Sequence, residues 1–293
     1  MKKIYTGIDV SKWQGNIDWQ KVKNDGVQFA MLRAGYGRFP GQADETFAQN
    51  YKNAKAAGLP VGAYHYSYAK TVQQAKEEAA YCLSLIKGKT FEFPICYDVE
   101  DDVQKALSKD EISDIVAAFC ETLENAGYYV CVYMNLSWLN SKLREDIFKK
   151  YDIWLAHWTE TTTFTRPYGL WQYTSSGTVN GINGRVDKNY AYKNYPQIMQ
   201  INGLNGYQKT GTPTAPSAPA TPFSPKMMVT LHNTPLYISA TAKAAAARKS
   251  GTFYIYDGKE INGRYRITSS PERAGKTPMA NHVTGYVNKA DLR

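Results

Sequence analysis

Phe93-Pro94-Ile95-Cys96-Tyr97-Asp98-Val99-Glu100 reads as a short buried strand, because Ile95, Tyr97 and Val99 are β-branched or aromatic and no helix cap precedes them. The run ends in two acids with one residue between them. Alternate side chains of a strand leave the same face, separated by roughly 6.6 Å of rise. Asp98 and Glu100 therefore share a face, and Asp101 and Asp102 follow at once. Two close carboxylates resist ionising together, so repulsion leaves an acid beside a base near neutral pH. Cleavage of a glycosidic bond needs that pairing: a proton for the leaving oxygen and a negative group facing an oxocarbenium-like centre. A strand running out into a solvated acidic loop is the plainer alternative, and the surrounding pattern decides between them.

Upstream, strands are expected at 6–11, 29–35 and 61–67, and helices at 18–25, 47–57 and 71–86. Gly58 and Pro60 end the second of these helices. Downstream, Ser108 followed by Glu111 is a capping box opening a helix over 108–126, which Gly127 closes. A fifth strand at 129–134 and a short helix over 137–149 complete five β-α units, so the sheet is parallel. After residue 150 the strand-like pieces 153–156, 169–174 and 186–189 lie too close together for intervening helices. A barrel would thus close with strands alone. No Gly-x-Gly-x-x-Gly or Walker-type loop follows any strand, so no dinucleotide or phosphate site is expected.

Three domains of sequence follow: 1–208, a Pro/Thr/Ala linker at 209–225, and 226–293. The linker is expected to be extended and semi-rigid. Short strands at 228–231, 252–256, 264–268 and 285–287, separated by turn residues, predict a small all-β barrel, with a helical turn in Ala-rich 240–249. Residues 1–210 hold 24 Lys and Arg against 22 Asp and Glu, a net +2, whereas 211–293 hold 11 against 4, a net +7. The basic character belongs to the C-terminal part and favours an anionic polymer partner. Tyr254, Tyr256 and Tyr265 are candidates for its specific contacts. A nucleic-acid partner is disfavoured, since no recognition helix or aromatic RNA-binding strand motif is visible. Cys82, Cys96, Cys120 and Cys131 show no Cys-x-x-Cys or His-ligand spacing and read as small buried hydrophobes. No apolar run approaches the roughly 20 residues of a membrane helix, and Ile4–Ile8 is too short for a signal-peptide core.

The acids mark successive strand ends: Asp9, then Asp98 and Glu100, then Asp187. Parallel barrels place active sites at those ends. Gly7-Ile8-Asp9-Val10-Ser11-x-x-Gln14, Gly62-Ala63-Tyr64-His65-Tyr66, Tyr97-Asp98-Val99-Glu100 and Trp171-Gln172-Tyr173 with Val186-Asp187 closely resemble glycoside hydrolase family 25, the Chalaropsis-type lysozymes common among phage endolysins and bacterial autolysins. The resemblance spans residues 4–195 with the motifs in order.

It implies an α/β fold, an irregular TIM-like (β/α)5β3 barrel, cleaving the β-1,4 bond between N-acetylmuramic acid and N-acetylglucosamine. By position it makes Glu100 the general acid and Asp98 the acid that orients or stabilises the 2-acetamido group, with Asp9 and Asp187 in support. Many members carry Ser/Thr-Glu-Gly after the second strand; here Ala34-Gly35-Tyr36-Gly37 stands there, so no carboxylate is assigned. Residues 226–293 look like a bacterial Src-homology-3-like wall-binding module, which together with the linker is the layout of an endolysin. Such a protein is expected in the cytoplasm of an infected host until a holin-like permeabilising partner releases it to peptidoglycan and anionic wall polymer, without membrane insertion.

Tyr64, Tyr66, Tyr133, Trp154 and Tyr173 fall at strand ends and are candidates for contact with sugar faces, Tyr64 and Trp154 foremost. Trp13, Trp19 and Trp138 are expected in the core. His65 and His157 are as well explained by structure as by the site. No metal or cofactor is expected, because carboxylates and aromatic rings suffice. A chitinase-like barrel needs Asp-x-x-Asp-x-Asp-x-Glu, and matching its Glu to Glu100 puts Phe93 and Cys96 where acids are required. A catalytically silent, lectin-like wall binder is the other alternative, against which the four retained acids argue.

Overall fold

The computed structural model describes residues 2–208 and 223–292. It divides into two compact units, Met1–Gly211 and Thr212–Arg293. Most of the expected linker, residues 209–222, lies outside the described residues.

In the first unit, β1 (Tyr5–Val10), β2 (Phe29–Tyr36), β3 (Val61–Tyr66), β4 (Ile95–Asp98), β5 (Val130–Asn135), β6 (Asp152–Ala156), β7 (Leu170–Gly177) and β8 (Val186–Ala191) close a barrel in that order. Neighbours from β1 to β7 are parallel, and β8 runs antiparallel to both β7 and β1. Helices α1 (Trp19–Asn24), α2 (Phe47–Ala56), α3 (Val72–Ile86) and α4 (Lys109–Asn125) follow the first four strands. The mixed α/β fold and the closure by strands alone match the expectation.

Alternation along each strand sorts the side chains into two cores. Ile8, Leu32, Ala63, Tyr97, Val132, Leu155 and Trp171 belong to the core shared with the helices, whereas Met31, Tyr64, Cys96, Tyr133, Trp154 and Leu170 form the barrel interior. Helix α4 shows how the outer layer is held. Its capping box joins Ser108 Oγ to the Glu111 N–H at 3.3 Å and Glu111 Oε2 to the Ser108 N–H at 2.8 Å. It buries Ile112, Ile115, Val116, Phe119 and Leu123, a helical stripe. Phe119 stacks on Tyr97 with ring centroids 3.7 Å apart, and burial of such side chains contributes about 1.5–3 kcal/mol each. Tyr97, next to the acids, is thus clamped from outside, which fixes the direction in which Asp98 points.

The lower end of the barrel is filled by stacked Phe29 and Phe93, 4.2 Å apart, with Tyr195 packed against Phe93. Tyr195 comes from α7 (Tyr195–Asn202), a helix the sequence reading did not contain. The Asn194 side chain caps it, a proline sits in its first turn, and Gly203 ends it in the left-handed conformation. The helix expected over 137–149 is instead two, α5 (Leu136–Lys142) and α6 (Glu145–Lys150), because Leu143 is extended and buried between them. The four cysteines are free and buried.

The second unit is a four-stranded antiparallel sheet of β9 (Met228–Leu236), β10 (Ala247–Ile261), β11 (Arg264–Thr268) and β12 (Gly285–Asn288), ordered β12-β11-β10-β9. Paired hydrogen bonds of 2.9 Å between Tyr237 and Tyr286 bring the chain beyond β9 against β12, so the sheet curls toward closure. The helical turn expected in Ala240–Lys249 is absent. Ala246 N–H bonds the Leu236 carbonyl, and Ala247, Arg248 and Lys249 pair with β9. Ladder pairing thus overrides alanine's helix propensity. Of the three tyrosines that are candidates for wall contacts, Tyr256 and Tyr265 are buried, leaving Tyr254 half-exposed.

Candidate active site

Inward positions at the upper end of the barrel are polar. Asp9 and Asp98 lie at or near the ends of β1 and β4, Glu100 two residues further on, and Gln172 on β7. Asp187 opens β8, whose reversed direction puts its start at the same barrel end and in register with Asp9. All five, with Ser11, Trp13, Gln14, Arg33, Tyr64, Tyr66, Tyr133 and Trp154, line one cavity of about 170 Å3. The four carboxylates are thereby brought together from three separate parts of the chain.

A directed hydrogen-bond chain forms the floor. Trp154 Nε1 donates to Asn189 Oδ1 at 2.8 Å, which turns Asn189 Nδ2 toward Asp9 Oδ2 at 2.7 Å. Gln172 Nε2 donates to the same oxygen at 3.0 Å, while its Oε1 accepts from Tyr133 Oη and Trp158 Nε1, both at 2.9 Å. Burial drives the Asp9 pKa well up, and the Asp187 charge adds to the effect, against the pull of Asn189 and Gln172. Asp187, also raised by burial, is lowered by its hydrogen bond to Asp9. Burial of both and the charge of Asp187 on Asp9 thus oppose simultaneous ionisation of the pair.

Asp98 is buried between Tyr66 and Tyr133 of the flanking strands. Burial first, then Glu100 and Asp9, raise its pKa strongly. Its Oδ1 is enclosed without a hydrogen-bond partner among the described residues, a buried acceptor left unsatisfied. Glu100 is half-buried, and burial, with Asp187 and Asp101 adding repulsion, pushes it up to about 7. Glu100 is thereby poised to exchange a proton near neutrality.

The expected site residues divide as follows. Asp9, Asp98, Glu100, Asp187, Tyr64, Tyr66, Tyr133 and Trp154 line the cavity; Tyr173 does not. Tyr173 stacks on Tyr190, 4.1 Å between centroids, beside an adjoining recess that also contains Trp158. Tyr64 and Trp154 offer no open face for stacking, since Trp154 is 1% exposed and Tyr64 packs edge-on against it. Trp13 corrects the core assignment in the other direction: it is 76% exposed at the mouth. Trp19 and Trp138 are buried as expected. His65 points away from the cavity, packs on Phe119 and sits 2.7 Å from the Gly37 carbonyl, and burial lowers its pKa to about 4. His157 bonds Thr162.

Arg33, Gln172, Asn189 and Trp158 were not singled out by the sequence reading. Inward register would have found three of them: Arg33 is two beyond Met31, Gln172 two beyond Leu170, and Asn189 two beyond Asp187. No such signal marks Trp158. Near the end of β2, where the usual carboxylate is missing, Arg33 Nε meets Asp44 Oδ2 at 2.8 Å. Burial opposes ionisation of Asp44, but Thr46, the Lys12 N–H and Arg33 outweigh it and hold the acid below its ordinary value.

A model of the family described as Glycosyl hydrolases family 25 matches residues 8–182. The chain is 34% identical over 182 residues to the autolytic lysozyme of Clostridium acetobutylicum, covering 62% of this chain and 54% of that one. It resembles the modular autolysin LytC from Streptococcus pneumoniae, solved in complex with a synthetic peptidoglycan ligand, with a TM-score of 0.59 and 34% identity over 64% of this chain and 46% of that one. The CTP1L endolysin gives a TM-score of 0.58 at 30% identity, over 68% and 70% of the two chains. The match thus spans about half the length of the first two.

Proposed function

The chain belongs to glycosyl hydrolases family 25, and from that membership we propose that it is a muramidase cleaving the β-1,4 bond between N-acetylmuramic acid and N-acetylglucosamine in peptidoglycan. The observation that carries this reading is the cavity that Asp9, Asp98, Glu100 and Asp187 line together, in which burial and the neighbouring acids push Glu100 up to about 7.

In the proposed reaction Glu100 gives its proton to the glycosidic oxygen as the bond to the anomeric carbon breaks. The substrate's own acetamido oxygen closes on that carbon from the opposite side, and its N–H is oriented by the Asp98 carboxyl group that lines the cavity. Positive charge developing on the acetamido group then faces a carboxylate in a site of low dielectric, where electrostatic support is strongest. Glu100, now ionised, takes a proton from water, which opens the intermediate and restores the acid. Asp9 and Asp187 line the same cavity as supporting acids and take no part in the proton transfer.

We further propose that residues 226–293 form a Src-homology-3-like module that holds the enzyme on anionic wall polymer, a reading supported by the curled small sheet and by the concentration of positive charge after residue 210.

Mass spectrometry of digested, purified peptidoglycan tests the bond assignment. Fragments ending in reducing muramic acid are expected. Fragments ending in reducing glucosamine would replace the muramidase reading with that of a glucosaminidase, and an undigested wall would favour a silent binder.

A further inference from the structure

Beside the catalytic cavity lies a larger recess of about 420 Å3, bounded by Lys12, Trp13, Arg33, Tyr36, Tyr66 and Tyr68. Trp13, Arg33 and Tyr66 border both spaces, so the two are neighbours. Their linings differ sharply. The catalytic cavity is lined by four carboxylates, whereas no acid lines the recess. Arg33 is already matched by Asp44. Lys12 is not matched: its Nζ lies 5.1 Å from the centre of the Trp13 ring and forms no ion pair among the described residues. The opposite wall is rigid, since Tyr68 meets both Tyr36 and Tyr66 edge-on at 6.2 and 5.3 Å, and Tyr66 Oη is tied to Asp101 Oδ2 at 3.0 Å.

A neutral polysaccharide would have no use for an ammonium without an ion pair in a recess neighbouring the acids. A sugar that carries its own anion would. Resting on the muramidase reading, we propose that this recess is a specificity subsite for a carboxylate borne on the 3-O-lactyl branch of the muramoyl residue, with Lys12 as the charge that reads it and Tyr36 and Tyr68 as the walls that enclose it. Two sources supply that chemistry: the lactyl carboxylate itself, free when the peptide stem has been removed, and the carboxylates of an intact stem. Lys12 takes no part in bond cleavage here. It discriminates between muramoyl glycans and neutral N-acetylglucosamine polymers.

The test is calorimetric binding of soluble glycan fragments to the full chain carrying Glu100→Gln, so that ligands survive, with and without Lys12→Gln or Lys12→Arg. Stem-bearing fragments are expected to bind about 5–10-fold more weakly to the Lys12→Gln protein, the scale of one partly buried charge pair. Lys12→Arg should stay within about two-fold, and an N-acetylglucosamine oligomer should bind all three alike. The difference should shrink at high salt, where the Debye length falls from about 10 Å to about 3 Å. The same loss with amidase-stripped glycan identifies the lactyl carboxylate as the group read; loss confined to stem-bearing fragments identifies the stem. Equal affinity of the Lys12→Gln and parent proteins for both fragments, or no binding of either, overturns the subsite. Failure of the Glu100-intact chain to release reducing muramic acid would instead remove the muramidase reading and leave any Lys12-dependent binding standing.

Discussion

Replacing Glu100 with Gln is expected to slow peptidoglycan hydrolysis about 10²–10⁴-fold, the range general acid catalysis supplies. Gln keeps the shape of the side chain and offers an N–H, but it cannot transfer a proton and become a base. Half-buried Glu100 makes few contacts that the amide would disturb, so the fold and any wall binding should persist. The loss should appear in kcat, with KM changed little, because the proton moves only in the transition state. Hydrolysis within a few-fold of the parent rate would remove Glu100 from the acid role.

Asp98→Asn should be nearly as damaging, lowering kcat about 10²–10³-fold by analogy with the removal of one preorganised electrostatic contact. The amide presents an oxygen to the acetamido N–H but no negative charge to the group that becomes cationic. A rise in KM with kcat preserved would make Asp98 a ground-state anchor instead. Stability offers an independent control. The folded pKa of Asp98 is raised above its unfolded value, so its contribution to stability is present at low pH and is lost as pH rises through the folded value. Asp98→Asn removes that loss and should therefore melt no lower than the parent at neutral pH. An inactive but equally stable protein separates a catalytic effect from misfolding.

The barrel was readable because period-two strands alternate with amphipathic helices and because local caps, such as Ser108 with Glu111, agree with that pattern. The acids were readable for the same reason: each lies where a strand runs out. What escaped was set by contacts distant in sequence. Trp13 sits in a single capped 3-10 turn, Lys12–Gln14, too short for any periodicity to separate an exposed indole from a buried one; the buried indole N–H of Trp154 finds its partner in Asn189, 35 residues away. Helix α7 follows the last barrel strand, where the alternation has already ended, and its role as a plug becomes visible once Tyr195 meets Phe93. In Ala240–Lys249 composition pointed to helix, but the ladder to β9 offered its backbone better partners. Nothing in the sequence marks Lys12; the fold places the carboxylate of Asp44 on Arg33 and leaves the ammonium of Lys12 without an ion pair among the described residues.

The claim on which the mechanism turns is that Glu100 holds its proton near neutrality. The most direct measurement follows its side-chain carboxyl carbon by NMR in carbon-13-labelled protein from acid to alkaline pH, with the Glu100→Gln protein identifying the signal. The account predicts a midpoint of about 7, matched by a fall in kcat/KM as pH rises through the same value, because the acid works in its protonated form. A midpoint near the ordinary 4.5, with activity undiminished well above it, would contradict the assignment of Glu100 as proton donor.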